Sequence, residues 1–435
     1  LDEPRPAEHG RDAGLVRTLG TLGLSAAIFN TVVGAGIFSV PAALAAAIGP
    51  YAPFAFLICA VGIGAITICF AEGGSRVATS GGAYGYIEVA FGPLCGCVAA
   101  VLLLTSNVLA CGGITAALAD AVASVLPASA AGAARVVVIC GAIGGIALIN
   151  IRGVSQGTRL INVITVVKLL PLAIFVVVGV NFMHRGNFAL ASAPPTGGLG
   201  RALILAFFAF TGMEGSVCAS GEVAAPARTI PRALGLTMLT VTALYISIQL
   251  VTQGILGGAL AASTVPLADA MARIDLPLRA LMLVGAAVSM FGWLSSDLLC
   301  SPRLLFALAR DGLVPRPIGR VHPRHHSPYL AILLYGSVAA ALAMSGSFAE
   351  LAVLSALGVA PLYIGACLAA WRLARRGLAG SGTPLASRWL GTAATIGVLA
   401  MIALIALASR TEIWGLIAVI GASALLYGLR VRLGK

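Results

Sequence analysis

Gly34-Ala35-Gly36-Ile37-Phe38, with Pro41 just beyond it, lies near the middle of the first long apolar segment, and its reading decides the fold. From Thr18 to Ala71 no residue carries a charge. A bilayer core takes about 20 helical residues, so this run crosses twice, turning at Gly49-Pro50-Tyr51-Ala52-Pro53. Each Gly inside a helix costs about 1 kcal/mol relative to Ala. Two Gly around an Ala, with Pro three residues after Phe38, therefore mark a place where the first helix opens. Open backbone at membrane depth is tolerated only where its freed groups face protein or a water-filled cavity. Freed N–H groups suit an anion and freed C=O groups suit a cation, so the break is also a ligand site in prospect.

The composition agrees with a membrane reading. Of the 435 residues, 59% are hydrophobic and 10% charged, and mean hydropathy is +1.02, against about 25% charged in soluble proteins. The apolar runs are continuous and do not alternate, which excludes a β-barrel. The first segment is too long, and the polar tail before it too extended, for a cleavable signal peptide. The chain reads as an all-α, multi-pass membrane protein with about twelve crossings, at 20–48, 52–75, 89–125, 134–151, 159–181, 201–224, 231–257, 278–307, 328–345, 349–371, 389–409 and 411–429. Segment three is long enough to tilt steeply.

Net charge is +12, but its distribution argues against nucleic acid. With both termini in the cytoplasm, Arg5, Arg11, Arg17, Arg76, Arg152, Arg159, Arg228 and Arg232 fall inside. So do Arg303, Arg310, Arg316, Arg320, Arg324, Arg372, Arg375, Arg376, Arg388, Arg430, Arg432 and Lys435. Only Arg135, Arg185, Arg201, Arg273, Arg279 and Arg410 fall outside. That asymmetry fits the cytoplasmic (inner) membrane and accounts for the basic pI without a polyanion. The Cys, nearly all inside expected spans, read as buried small hydrophobes. Cys95-Gly96-Cys97 is too tight for an ordinary structural zinc site. All five His (His9, His184, His322, His325, His326) fall in tails or loops, with no acid converging on the last three. No metal or cofactor is expected. With no GxSxG and no His in a span, an intramembrane enzyme is not expected either.

Three further places carry chemistry. The Gly-rich connection Ser80-Gly81-Gly82-Ala83-Tyr84-Gly85-Tyr86 reads either as a tightly folded loop under the bundle or as a hinge. Lys168 stands among Ile164, Val166, Val167, Leu169 and Leu170, about 13 Å of helix rise from Arg159. A Lys at the helix centre costs roughly 2.5–3.5 kcal/mol, so a functional interior Lys is favoured over one that snorkels to the surface. Segment six repeats the opening theme in Phe207-Phe208-Ala209-Phe210-Thr211-Gly212-Met213-Glu214-Gly215-Ser216. Breaks in the first and sixth segments imply five helices per repeat, and an odd number makes the repeats an inverted pair. Segment seven shows no such break. In segment eight, Trp293 and Asp297 share a face, beside Ser295 and Ser296; Asp297 reads equally as a structural partner or a site residue. The expected organisation is a cytoplasmic tail at 1–17, five-helix repeats at 18–181 and 201–371, and two peripheral helices at 389–435 that serve as scaffold or homodimer surface.

Taken in order, GAGIF, SGGAYGY, the helix-five Lys, FFAFTGMEGS with GEVAAPARTIPRAL, and FALARDGLVP with HPRHHSP resemble the amino acid–polyamine–organocation transporter superfamily, over about residues 18–345. The resemblance implies the LeuT-type 5+5 inverted-repeat fold with broken helices one and six. It implies secondary transport of an amino acid or related amine, by proton symport or by exchange (antiport). The substrate carboxylate would lie on N–H groups of Gly34, Ala35 and Gly36, next to Ile37. Its ammonium would take carbonyls around Thr31 and near Phe208, Thr211 and Gly212. Phe208 matches the family's aromatic gate, Glu214 an acidic position of some members, and Trp293 a pocket aromatic. Lys168 matches the Lys of sodium-independent members, standing near Ser295 and Ser296 where relatives hold sodium. The helix-one Ser of some relatives is Ala35 here, leaving carboxylate binding to the backbone.

Overall fold

The computed structural model describes residues 20–77, 82–124, 127–152, 157–190, 196–217, 223–310, 312–325, 327–378 and 384–432. The tail at 1–17, the start of the Gly-rich connection (78–81), the turn at 153–156, the segment 218–222, Asp311, His326 and Lys435 lie outside the described residues, as do the side chains of Arg159 and Ser216.

Helices follow one another as α1 (Thr21–Val32), α2 (Gly36–Ile48), α3 (Ala52–Arg76), α4 (Gly82–Phe91), α5 (Pro93–Ala123), α6 (Ala128–Arg152), α7 (Gly157–Gly179) and α8 (Thr196–Phe210). Then come α9 (Met213–Val217), α10 (Pro226–Leu256), α11 (Pro266–Ala272), α12 (Leu276–Arg310), α13 (Tyr329–Ser345), α14 (Phe348–Arg375), α15 (Leu390–Ala406) and α16 (Arg410–Arg432). Each of the twelve expected segments holds one or two of these helices. Gly36–Arg76 is a single apolar stretch that turns at a short 3-10 helix, Gly49–Tyr51.

The first and sixth segments are broken where expected, between α1 and α2 and between α8 and α9, and α10 runs unbroken. Segment three differs. It is not one steep helix from 89: Gly92 takes φ 96° and Pro93 opens α5, so α4 folds as a separate short helix. The described part of the Gly-rich connection is thus helical, with Tyr86 fully buried. The cysteines also differ. Cys95, Cys140 and Cys300 are exposed on the outer surface, while Cys59, Cys69, Cys97, Cys111 and Cys367 are buried. On a membrane protein both environments are apolar, so sequence hydrophobicity does not separate them.

Helix contacts pair off between the two halves of the chain. Broken helix α1 lies against α7 and α10, and its counterpart α8 lies against α14 and α3. Likewise α5 packs on α14 as α12 packs on α7. Apolar lipid gives no hydrophobic push between helices, so close backbone approach supplies the attraction. At Gly112 of α5 an added Cβ would come 2.8 Å from Leu342 of α13. By contrast, α16 buries only Ser423.

At one end of the bundle α3 grips the connection between α14 and α15. Glu72, fully buried, pairs with Arg76 at 2.7 Å. Its carboxylate accepts the N–H groups of Ala386 and Ser387 at 3.2 and 3.0 Å. The Leu385 N–H donates to Ser75 Oγ at 3.1 Å, and Arg76 Nη1 donates to the Leu378 carbonyl at 2.8 Å.

Candidate functional site

Where α1 stops, its last carbonyls have no helical N–H to accept. Side chains from three other helices take them. Lys168 Nζ of α7 donates to the carbonyls of Asn30 at 2.9 Å and Val33 at 2.7 Å. Tyr245 of α10 donates its hydroxyl to Val32 at 3.0 Å. From α12, Trp293 Nε1 donates to Thr31 at 2.7 Å and Ser289 Oγ to Val33 at 3.1 Å. Lys168 also donates to Asn30 Oδ1 at 2.8 Å, so an ammonium's three hydrogens meet three oxygens. The side chain is fully buried and turned inward, not toward the surface. Its charge lies at the negative end of the α1 dipole. Asn30 Nδ2 donates to Ser296 Oγ at 2.9 Å, which keeps the amide oxygen facing Lys168.

On the other side of the break the N–H groups are differently placed. Gly34 N–H turns back to the Val32 carbonyl at 3.0 Å, and Phe38 and Ser39 both donate to the Ala35 carbonyl at 3.0 and 3.1 Å. The N–H groups of Ala35, Gly36 and Ile37, which head α2, have no recorded acceptor among the described residues. The open trio is therefore one residue later than Gly34-Ala35-Gly36, because the tight turn at Gly34 consumes its own donor.

At the second break, Thr211 folds back on the Phe208 carbonyl through its N–H at 3.1 Å and its hydroxyl at 2.7 Å. Gly212 takes φ 117° and donates its N–H to Glu214 Oε2 at 2.9 Å. Tyr363 of α14 donates to the same oxygen at 2.6 Å. The breaks touch each other: a Cβ on Gly212 would lie 2.5 Å from the Thr31 carbonyl oxygen. Gly36 also crosses α8 closely, with a Cβ there 3.1 Å from Ala209 Cα.

Thr31, Gly34, Ala35, Gly36, Phe208, Thr211, Gly212, Glu214 and Trp293 line one cavity, with Ser106, Asn107, Ala110 and Ile114 of α5 and Ser355 of α14 as its further wall. Ile37 is fully buried behind it. The cavity measures about 30 Å³, room for one or two waters, so a larger solute enters only if the surrounding helices part. Phe208 is buried over it, edge-on to Phe348 of α14 at 5.8 Å between ring centres.

Two residues singled out from the sequence lie elsewhere. Ser295 donates to the Phe291 carbonyl of its own helix at 2.8 Å. Ser289, seven residues before Ser296 and so two turns along the same face, joins Ser296 at the first break. Asp297 does not line the cavity. It accepts Ser301 Oγ at 2.6 Å and the Tyr335 hydroxyl at 2.7 Å. Ser301 in turn accepts Asn107 Nδ2 at 3.0 Å, which links the acid to the cavity wall. Asn30, Asn107, Tyr245, Ser289 and Tyr363 went unread in the sequence. Their signal was available: each is a hydrogen-bonding residue inside an apolar span.

The chain matches the family described as amino acid permease over residues 19–423. It is 24% identical over 381 residues to a branched-chain amino acid permease of Bacillus subtilis (strain 168), covering 81% of this chain and 80% of that protein. A methylthioribose transporter of the same organism is 27% identical over 351 residues, covering 77% and 76%. An uncharacterized transporter of Mycobacterium tuberculosis (strain ATCC 25618 / H37Rv) is 30% identical over 352 residues, covering 80% and 78%. The match spans both breaks, Lys168 and the helices that hold them. The chain is a multi-pass membrane transporter of the amino acid permease family, in the amino acid–polyamine–organocation superfamily.

Proposed function

We propose that this amino acid transporter is a secondary active permease of the cytoplasmic membrane, with both termini inside, that moves its substrate together with a proton. The observation that carries the substrate site is the trio of open N–H groups at Ala35, Gly36 and Ile37, heading a helix beside the cavity. A helix N-terminus of this kind receives a carboxylate. The ammonium then competes for the Thr31 carbonyl, which accepts Trp293, and the Phe208 carbonyl, which accepts the N–H and hydroxyl of Thr211. Ala110 and Ile114 on the α5 wall favour a neutral side chain. Closure of Phe208 over the ligand excludes water.

Lys168 ties α7 to the end of α1. Protonated, it donates all three hydrogen bonds that hold α1 in one orientation; losing the proton removes a donor and the charge and loosens that hold, linking proton and substrate movement. A second reading, substrate-for-substrate exchange, is favoured by the full use of all three Lys168 hydrogens, which suits a charge that stays fixed. Proteoliposomes without internal substrate separate the two. Symport predicts uptake with acidification of the lumen when an inward proton gradient is imposed. Uptake that leaves luminal pH unchanged, or that appears only after loading the lumen with amino acid, removes symport and leaves exchange. A thermal-shift screen of neutral and cationic amino acids and polyamines tests the substrate class. Stabilisation by polyamines alone would overturn the neutral amino acid.

A further inference from the structure

We propose that the cleft at the C-terminal end of α14 binds the phosphate of an anionic phospholipid. The cleft measures about 400 Å³ and is lined by Phe91, Leu368, Trp371, Arg372, Arg375 and Arg376. Helix α14 has 28 residues, about 42 Å of length, against a hydrocarbon core of about 30 Å. Its last turns therefore emerge into the headgroup layer, and they carry the three arginines.

The walls match a phospholipid in order of polarity. Leu368 and Trp371 are exposed on the lipid-facing side of the helix, and Phe91 closes the cleft from α4. Beyond them stand the guanidinium groups. Arg372 lies over the Phe91 ring at 5.0 Å and Arg375 over the Trp371 ring at 4.9 Å. A cation held over a ring is attracted without spending its N–H donors, and a guanidinium's N–H fork suits a phosphate. None of the three has a carboxylate partner among the described residues. The α14 dipole draws positive charge to this end, but it gives no reason for an adjoining apolar cleft. The position also matters for transport. The same helix carries Phe348 to Phe208, Ser355 to Ser106 and Tyr363 to Glu214, so a lipid seated here holds the helix that braces the substrate site.

The test uses the purified full chain in detergent, titrated with phosphatidylglycerol, phosphatidylcholine or inorganic phosphate and read by native mass spectrometry and thermal midpoint. Phosphatidylglycerol should remain bound and raise the midpoint, while phosphatidylcholine and phosphate should do neither. A juxtamembrane arginine is worth about 1 kcal/mol toward anionic lipid, a factor of about five in affinity. The triple variant R372Q/R375Q/R376Q should therefore bind about a hundredfold more weakly. Should it fail to fold, R375Q/R376Q, confined to exposed side chains, should lose about 25-fold. R303Q/R316Q/R320Q removes the same charge from the same end of the molecule and should bind like wild type. Retained binding in the cleft variants, an equal loss in the charge-matched control, or saturation by inorganic phosphate alone would each overturn the proposal.

Discussion

At the first break the exposed groups are carbonyls, those of Asn30 and Val33, and the side chain brought to them is a cation, Lys168. At the second, an exposed N–H, that of Gly212, meets an anion, Glu214. Each broken helix has thus been answered at one polarity by an ionisable side chain from the protein. The first keeps its N–H groups at Ala35, Gly36 and Ile37 open. A zwitterion is the ligand with one charge for such donors and another for carbonyls across the cavity. The two breaks are also unequal in anchorage. The first is tied to α7, α10 and α12, whereas the second is tied through Tyr363 to α14.

Removing the cation should cost most. Lys168→Met strands the Asn30 carbonyl and amide oxygens and weakens the hold on Val33. At about 1–3 kcal/mol for each unsatisfied buried group, the expected loss is about 3 kcal/mol or more, with uptake at background. An unchanged thermal midpoint would show the first break to be self-supporting. Next comes Gly212→Ala, which puts a methyl into the Thr31 oxygen at a φ that L residues avoid. Overpacking of this kind costs about 1–3 kcal/mol, and uptake should fall at least tenfold. Wild-type transport by this variant would mean that the contact between the breaks is dispensable.

Glu214→Gln keeps an acceptor for Gly212 and Tyr363 and loses only charge, so the expected destabilisation is about 1 kcal/mol, with a drop in uptake short of that at Lys168. If it instead matches Lys168→Met, the anion and cation carry equal weight. The smallest effect contrasts two serines of α12. Ser289→Ala should lower stability by about 1 kcal/mol, and Ser295→Ala by less than about 0.5 kcal/mol. Equal values would place Ser289 outside the ties on the first break.

The breaks were legible because Gly in an apolar helix is costly and conspicuous, and Lys168 because a charge at membrane depth demands a partner. Which donors stay open was not legible. It depends on the single turn at Gly34, whose N–H goes to Val32. The resemblance points to Ser295 and Ser296 together, whereas the helix puts Ser289 and Ser296 on the shared face and turns Ser295 to its own helix. The separate α4 was hidden because Gly92-Pro93 sits inside a segment that is apolar on both sides. Asn30 and Tyr245 are less conspicuous because neither is a charged residue type, although Asn30 accepts a Lys168 hydrogen and Tyr245 satisfies the Val32 carbonyl.

The grip of α3 on Leu378 and on Leu385–Ser387 has a mechanical meaning. The tether reaches from the end of α14 to the approach of α15, and its anchor is a charged pair within the last turns of α3. A tilt of α3 therefore either drags this strap of chain with it or breaks four hydrogen bonds, at Leu378, Leu385, Ala386 and Ser387, each worth about 1 kcal/mol or more. Dragging is the cheaper course. α15, which also packs directly on α3 and α14, is then carried with α3 at that end during a transport cycle.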